Sequence, residues 1–370
     1  MRRLECGLGQ FSLELARAML TERKPADDLC FFLPKQQAHH FRHEPVEIQL
    51  VRRWQKSLYI APVRNLLNRY IPGPWYDIWH ASNQCSWYEP WNCNVPVVLT
   101  IHDLNFLREK TPEVIDAYLR SMQRRTDRAI CITTISKFVA NEVRTHLDLQ
   151  GKPLRVIYNG AARETDEIAE RPSFAPKSPF LFSIGDFMAK KNFHVLVEMI
   201  PYLPEYSLVL AGNNGTEYGQ LVRERAKACN VIDRVVLPGR ISNAQRQWLY
   251  SNCAAFAFPS ITEGFGLPVI EAMNAGKPVF LSTATSLPEI GGSCGFYWDS
   301  FDPRAMADRF RMGMAQVAST PNHSQIVRQH ASQFSWQRAA REYLALYREI
   351  AVGQTIPIAE NLGPMLRRAA

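Results

Sequence analysis

Short apolar runs alternate with longer amphipathic ones along almost the whole chain. Runs at 29–34 (LCFFLP), 76–81 (YDIWHA), 96–101 (PVVLTI), 129–135 (AICITTI) and 154–158 (LRVIY) have the length and residue types of buried strands. A second series lies at 179–184 (PFLFSI), 206–211 (YSLVLA), 234–238 (RVVLP), 253–258 (CAAFAF) and 278–282 (PVFLS). Helical spacing predicts helices over 10–20, 113–125, 136–147, 192–200, 217–229, 242–251, 266–275, 303–317 and 336–350. Continuous apolar strands separated by helices imply parallel sheets covered on both faces, an α/β chain. Residues 163–179 (RETDEIAERPSFAPKSP) are polar and hold three prolines, which reads as a linker. The economical arrangement is two Rossmann-like, doubly wound domains, over 1–165 and 175–334. Beyond them, Trp336, Ala340, Tyr343, Leu344 and Tyr347 recur at helical spacing, so one stripe of 336–350 must be buried. Residues 353–370 lack strong periodicity and read as a tail. A doubly wound domain opens with a strand. Only Arg2–Cys6 precedes the first helix here, so either that strand is very short or the natural start lies upstream.

Composition narrows the class. With 370 residues, 46% hydrophobic and 21% charged, the chain suits two globular domains and not a disordered protein. No apolar run reaches the roughly 20 residues that span a bilayer. Residues 1–20 lack the apolar core and cleavage site of a signal peptide. The eight cysteines form no Cys-x-x-Cys pair and read as reduced core thiols, which points to the cytoplasm. A net charge of +8 suits acidic partners without choosing among nucleotides, phosphates, nucleic acid or a membrane face. Residues 41–75 hold six Arg/Lys against two Glu, interleaved with aromatic residues. That stretch reads either as a solvated face or as a lip touching a membrane or a charged acceptor. Trp87 and Trp91 either stack on a sugar ring or pack their own loop.

The densest chemistry lies at 259–279, PSITEGFGLPVIEAMNAGKPV. The strand ending before Pro259 places this segment at the carboxyl edge of a parallel sheet, where open α/β folds bind ligands. A helix follows, with Pro268 in its first turn, where a missing N–H costs little. The first amides of a helix lack internal partners and sit at its positive end. Gly264 and Gly266 remove side chains there, so the Gly264–Phe265–Gly266–Leu267 backbone suits a diphosphate. Glu271, farther along the helix, suits the vicinal hydroxyls of a ribose, and Glu263 the hydroxyls of whatever the diphosphate carries. The bland alternative makes Glu263 a helix cap and Glu271 a solvated carboxylate.

TEGFGLPVIEAMNAGKPV resembles the Glu-x7-Glu signature of retaining glycosyltransferases of family 4, which have the GT-B fold: two Rossmann-like domains facing across a cleft. Other segments match in the expected order over most of 7–350. GLGQF (7–11) is similar to the glycine loop of the first domain, with Gly9 facing the donor's phosphates. VLTIHDLNFL (98–107) is similar to the strand carrying the family's active-site histidine, here His102. ITTISKF (132–138) and VIYNG (156–160) resemble strands closing the first domain, and FSIGDFMAKKNFHVLVEMI (182–200) resembles the phosphate loop around Gly185.

A cation beside that loop would neutralise the diphosphate as a leaving group. Lys191, next to the expected N-cap Asn192, is placed for this, and Lys190 is a neighbour that could substitute. The family often has Arg after the loop glycine. Asp186 stands there instead, and Arg240 is a possible compensation. Gly239, Arg240 and Ile241 lie where the family holds the nucleobase through backbone contacts. Asp103 either orients His102 or starts the next turn. His39, His40 and His43 read as surface residues, and His80 and His194 as structural ones.

No Asp-x-Asp and no spaced His/Cys set suggests a metal, so none is expected, and no cofactor beyond the donor substrate. The resemblance thus implies transfer of a hexose, mannose or glucose type, from a nucleotide sugar to a glycan or lipid-linked acceptor with retention. It implies surface-polysaccharide or lipopolysaccharide assembly at the cytoplasmic face of the inner membrane, possible peripheral membrane contact, and no nucleic acid partner. Helix 336–350 is expected to complete the first domain, and domain closure to expel water. Three rivals stand beside this reading. A sugar-nucleotide epimerase of the same fold would need acid–base carboxylates not evident here, and a non-catalytic nucleotide-sugar-binding module would keep the donor site alone. An NAD-dependent dehydrogenase would need a Gly-x-Gly-x-x-Gly after a strand, which the chain lacks.

Overall fold

A computed structural model describes residues 7–51, 76–86, 88, 90, 94–161 and 168–353. They form two compact units: one runs to Asn159 and resumes at Trp336, and the other is Gly160–Ser335. The expected strand at 2–6, most of the basic stretch (52–75), Trp87, Trp91, residues 162–167 and the tail beyond 353 lie outside the described residues. No described helix is long and apolar enough to cross a membrane.

The first unit opens with α1 (Gly7–Glu22), then β1 (Cys30–Leu33) and β2 (Glu47–Leu50). The main sheet follows as β3 (Trp79–Ala81), β4 (Val97–Ile101), β5 (Cys131–Thr134) and β6 (Leu154–Val156), all parallel and in chain order. Between β4 and β5 run α2 (Phe106–Glu109) and α3 (Pro112–Arg128), and between β5 and β6 runs α4 (Lys137–His146). Every residue of β4 and β5 is buried, as a central strand covered on both faces requires. Ser136 caps α4 by accepting from the Val139 N–H at 3.2 Å, and Val139, Ala140 and Val143 then face the sheet. The expected strand 29–34 does not join this sheet among the described residues. It pairs only with β2, in a separate two-stranded sheet. Glu47–Leu50 carries no apolar run and exposes both its ends, so no pattern announced it.

The helix Trp336–Ala351 belongs to this unit. Its Tyr343 is fully buried, and the hydroxyl lies 3.0 Å from Thr100 Oγ1 and 3.2 Å from Thr133 Oγ1, which are 2.7 Å apart. His80 on β3 bridges the same pair of elements: Nε2 lies 2.7 Å from Thr100 Oγ1, Nδ1 lies 2.6 Å from the Tyr347 hydroxyl, and its ring stacks on Tyr343. Threonines in central strands are thus satisfied by a helix some two hundred residues away. Burial holds His80 neutral and pushes its pKa down to about 3.

In the second unit β7 (Phe180–Ile184), β8 (Ser207–Ala211), β9 (Val235–Gly239), β10 (Ala255–Phe258), β11 (Val279–Ser282) and β12 (Gly295–Trp298) form a parallel sheet in the order β12-β11-β10-β7-β8-β9. Helices connect them: α5 (Phe193–Met199), α6 (Glu217–Ala228), α7 (Asn243–Asn252), α8 (Leu267–Asn274), α9 (Leu287–Gly291), and after β12 α10 (Pro303–Ser319) and α11 (His323–Ala331). One aromatic cluster of Phe280, Phe296, Trp298 and Phe310 packs under α10. Periodicity missed β12, where buried and half-buried residues alternate over only four positions. It also missed α11, a polar helix that buries only Val327 and Ala331.

Two outcomes test the first unit's packing. Tyr343→Ala should lower unfolding free energy in urea by about 3–5 kcal/mol, and Tyr343→Phe by about 1 kcal/mol. Equal small losses would show that the helix is not anchored there. Because the folded-state pKa of His80 is depressed, its contribution is complete above the unfolded value near 6.5 and disappears as pH falls towards 3. Thermal midpoints measured across that range should fall less steeply for His80→Gln than for the wild type.

Candidate active site

In the second unit β7 lies between β8 and β10, so the strand order turns back at the β7–β10 junction. In open α/β sheets ligands bind outside the carboxyl ends of the strands at such a switch point. Of the sequence-predicted residues of this unit, Gly185, Lys190 and Lys191 follow β7, and Glu263, Gly264, Phe265 and Gly266 follow β10. Leu267 and Glu271 stand on α8, and Arg240 and Ile241 follow β9 at the end of the strand order.

The loop after β7 carries Gly185 and a 3-10 turn, Ala189–Lys191. Gly185 has φ +155°, and a Cβ there would stand 3.1 Å from Lys191 Cε. The glycine therefore makes room for the lysine stem. Lys191 Nζ donates to Glu263 Oε1 at 2.6 Å and lies 4.8 Å from the Phe258 ring centroid. Ser260 Oγ donates to the same carboxylate oxygen at 2.7 Å. The side chains of Lys191 and Glu263 are only 14% and 15% exposed, so removing either would leave a charge in a poorly hydrated place. Lys190 contributes its main chain: its carbonyl accepts from Ile261 N at 2.9 Å and lies 3.0 Å from Ser260 Oγ, whose single proton it shares with Glu263, tying the two loops together. Geometry thus selects Lys191 as the partner of Glu263. Asn192 is the N-cap residue of α5, as expected, but it sits in the left-handed region, φ 55°, and its side chain makes no cap bond. Asp186 accepts from Asn213 N at 3.4 Å, an end-on tie to the neighbouring loop.

The loop after β10 leads into α8, whose N-cap position is Gly266, so Glu263 is not the cap. Gly266 has φ +107°, and a Cβ there would meet Leu287 Cδ2 at 3.0 Å; backbone conformation and packing already require glycine. Gly264, Phe265 and Gly266 are buried, and Leu267 is half-buried. The Phe265 ring packs edge-on against Phe334, and Ser286 Oγ donates to the carbonyls of Glu263 and Phe265. This turn is therefore packed into its unit more closely than the expected bare amides. Positive charge at this point is carried by Lys191 and by the N-terminal end of α8.

Glu271 is not solvated. Tyr250 donates to its Oε2 at 2.8 Å and Arg246 Nη1 to its Oε1 at 3.2 Å. Both donors stand on α7, four residues apart and so on one face. That helix starts from a Ser242–Gln245 capping box, directly after the Gly239–Ile241 loop. Arg240 is exposed there and Ile241 half-buried.

His102 and Gly9 belong to the first unit. His102 follows β4, is 4% exposed, and its ring meets Phe11 edge-on at 4.4 Å between centroids. Its Nε2 lies 2.8 Å from the Ser82 carbonyl. A carbonyl only accepts, so Nε2 carries the proton and Nδ1 the lone pair. Burial pushes the His102 pKa down to about 4, so the ring is neutral near pH 7. Gln84 clamps the main chain around it, accepting from His102 N at 3.0 Å and donating to the Asp103 carbonyl at 3.2 Å. Asp103 accepts from Asn105 N, so it starts the next turn. Gly9 is buried inside α1: residues 7–11 are helical, which corrects the expected glycine loop.

Among the described residues no group of three or more His, Cys, Asp and Glu is arranged to hold a metal. The His39 and His40 rings lie side by side, tilted by 38° with centroids 3.9 Å apart. Of the described cysteines only Cys131 and Cys253 are buried, fewer than the core-thiol expectation. Sequence reasoning passed over Phe11, Gln84, Arg246, Tyr250 and Ser260. Only the 246/250 spacing, i to i+4 on a helix beside the base loop, offered a signal.

Residues 7–164 match the family described as "Glycosyltransferase Family 4" and residues 164–318 the family described as "Glycosyl transferases group 1", so the two together span most of the chain. The O-antigen chain mannosyltransferase B of Escherichia coli is 25% identical over 396 aligned residues, which cover 92% of this chain and 96% of that protein. The GDP-mannose:cellobiosyl-diphosphopolyprenol alpha-mannosyltransferase of Komagataeibacter xylinus is 26% identical over 187 residues, 48% of this chain and 47% of that one. The crystal structure of a glycosyltransferase from Rickettsia africae superposes with a TM-score of 0.69 over 95% of this chain and 97% of the other, at 16% identity. The chain belongs to the group 1, family 4 glycosyltransferases, with their GT-B architecture of two Rossmann-like α/β units.

Proposed function

We propose that this glycosyltransferase moves a hexosyl group, mannose in the first instance, from a nucleoside diphosphate sugar to a hydroxyl of a saccharide or lipid-linked acceptor, with retention of configuration. One observation carries the reading: Lys191 Nζ and Glu263 Oε1 lie 2.6 Å apart where the strand order turns back. A cation and a carboxylate set together at that point match a diphosphate joined to a polyhydroxylated ring. The mannosyltransferase relatives favour mannose, and one of them is named for GDP-mannose. Their part in O-antigen and polyprenol-linked synthesis supports surface-polysaccharide assembly as the setting, with peripheral membrane contact following only from a lipid-linked acceptor.

In this reading Lys191 neutralises the diphosphate as it leaves, aided by the α8 dipole. Glu263 accepts hydrogen bonds from the donor sugar's hydroxyls, and Glu271 from the ribose. The Arg240–Ile241 loop takes the base, and neutral His102 offers the Nδ1 lone pair to the sugar. The bond from the anomeric carbon to the phosphate oxygen breaks with its electron pair going to the diphosphate. The acceptor oxygen bonds the same carbon on the same face, and its proton passes to the departing phosphate oxygen. No protein base or metal is assigned a step.

Among GDP-mannose, UDP-glucose and UDP-N-acetylglucosamine, GDP-mannose should raise the thermal midpoint most. Without acceptor it should release GDP slowly. Binding without any release, even with acceptor glycans present, would mean a binding module. Glu263→Gln should lower kcat by about 10–100-fold while changing donor affinity much less, and equal losses would contradict the division of roles. Activity should survive EDTA; its loss would reveal a required metal.

A further inference from the structure

Glu271 enters the site with half of its hydrogen-bonding capacity already engaged. An ionised carboxylate accepts at about four lone-pair positions, two on each oxygen. Tyr250 occupies one on Oε2 and Arg246 one on Oε1, which leaves one on each oxygen. A vicinal diol offers two O–H donors side by side, one for each remaining position. We propose that Tyr250 and Arg246 are positioning residues that fix the Glu271 carboxylate for bidentate capture of a 2′,3′-diol, and so make the site select ribonucleotide over 2′-deoxyribonucleotide donors. The inference rests on the ribose role proposed for Glu271.

Three features make the arrangement rigid. Tyr250 is 5% exposed, and its ring is held edge-on by Phe182 at 5.0 Å and packed against Phe256 at 5.5 Å, so the phenol cannot swing away. Burial, followed by the Glu271 charge, raises its pKa well above the usual tyrosine value, which keeps the O–H a donor at any working pH. Arg246 stands one turn earlier on α7, so a single helix supplies both contacts. The same helix begins where the base loop ends, which links the base and ribose positions through one rigid element.

The test is a binding cycle by isothermal titration with GDP, UDP and their 2′-deoxy forms, using whichever base binds the wild type more tightly. The wild type should prefer the ribonucleotide by about tenfold or more. Tyr250→Phe, which keeps the ring, and Arg246→Gln should each cut that ratio at least threefold, and neither should change it further in a Glu271→Ala background. A purely structural role would lower the melting temperature and weaken both nucleotides equally, leaving the ratio intact, and would overturn the proposal. If Glu271→Ala abolishes the preference while Tyr250→Phe and Arg246→Gln retain it, the positioning role fails and the ribose role stands. If Glu271→Ala also retains it, the ribose role falls and the inference with it.

Discussion

The site depends on a topological constraint expressed as one ion pair. Because β10 returns to the far side of β7, two loops that are distant in sequence leave neighbouring strand ends. Lys191 from one and Glu263 from the other then meet at 2.6 Å. The contact is reinforced by packing on both sides. Gly185 clears the lysine stem, the Phe258 ring lies under the ammonium, and Ser260 holds the carboxylate from below while binding the Lys190 carbonyl. Two charges so little hydrated are costly unless paired. In the reading proposed above, an arriving diphosphate would replace Glu263 as the partner of Lys191, and sugar hydroxyls would replace Lys191 as the partners of Glu263, so ligand-free stability and donor recognition would draw on the same groups.

The remaining polar groups follow the same logic of preorganisation. Glu271 is gripped from α7, and His102 is fixed by the Ser82 carbonyl, the Gln84 side chain and the Phe11 ring. Each side chain is thus held in one orientation by its own unit, and groups fixed beforehand lose little freedom if they take up a ligand. In the first unit the Thr100–Thr133–Tyr343 cluster and His80 fasten the final helix to the central strands, so that unit is complete only with chain from both ends of the described sequence.

Most of the second unit was legible because its strands are continuous apolar runs and the loop after β10 carries a dense motif. PFLFSI, YSLVLA and CAAFAF became β7, β8 and β10 almost residue for residue. Legibility failed where the physical cause is not local. β12 is too short and too evenly alternating to stand out, and α11 is polar because most of it faces solvent. GLGQF resembles the family's glycine loop, yet it is helical, with Phe11 wedged among His102, Trp336 and Tyr343. The sequence favoured Lys191 over Lys190 from its place beside Asn192, and the structure sets the Lys191 stem beside Gly185 with its ammonium on Glu263. Glycines at 185 and 266 suggested access for a phosphate, whereas packing around them supplies a reason of its own.

The central claim is that Lys191, and not its neighbour, supplies the cation for the diphosphate. Calorimetric affinity of the preferred nucleoside diphosphate for Lys191→Met and Lys190→Met, set against the wild type, addresses it directly. The account predicts a loss of about tenfold or more for Lys191→Met and near wild-type affinity for Lys190→Met, whose main-chain bonds survive the substitution. Full affinity in Lys191→Met, or an equal loss in both variants, would contradict it.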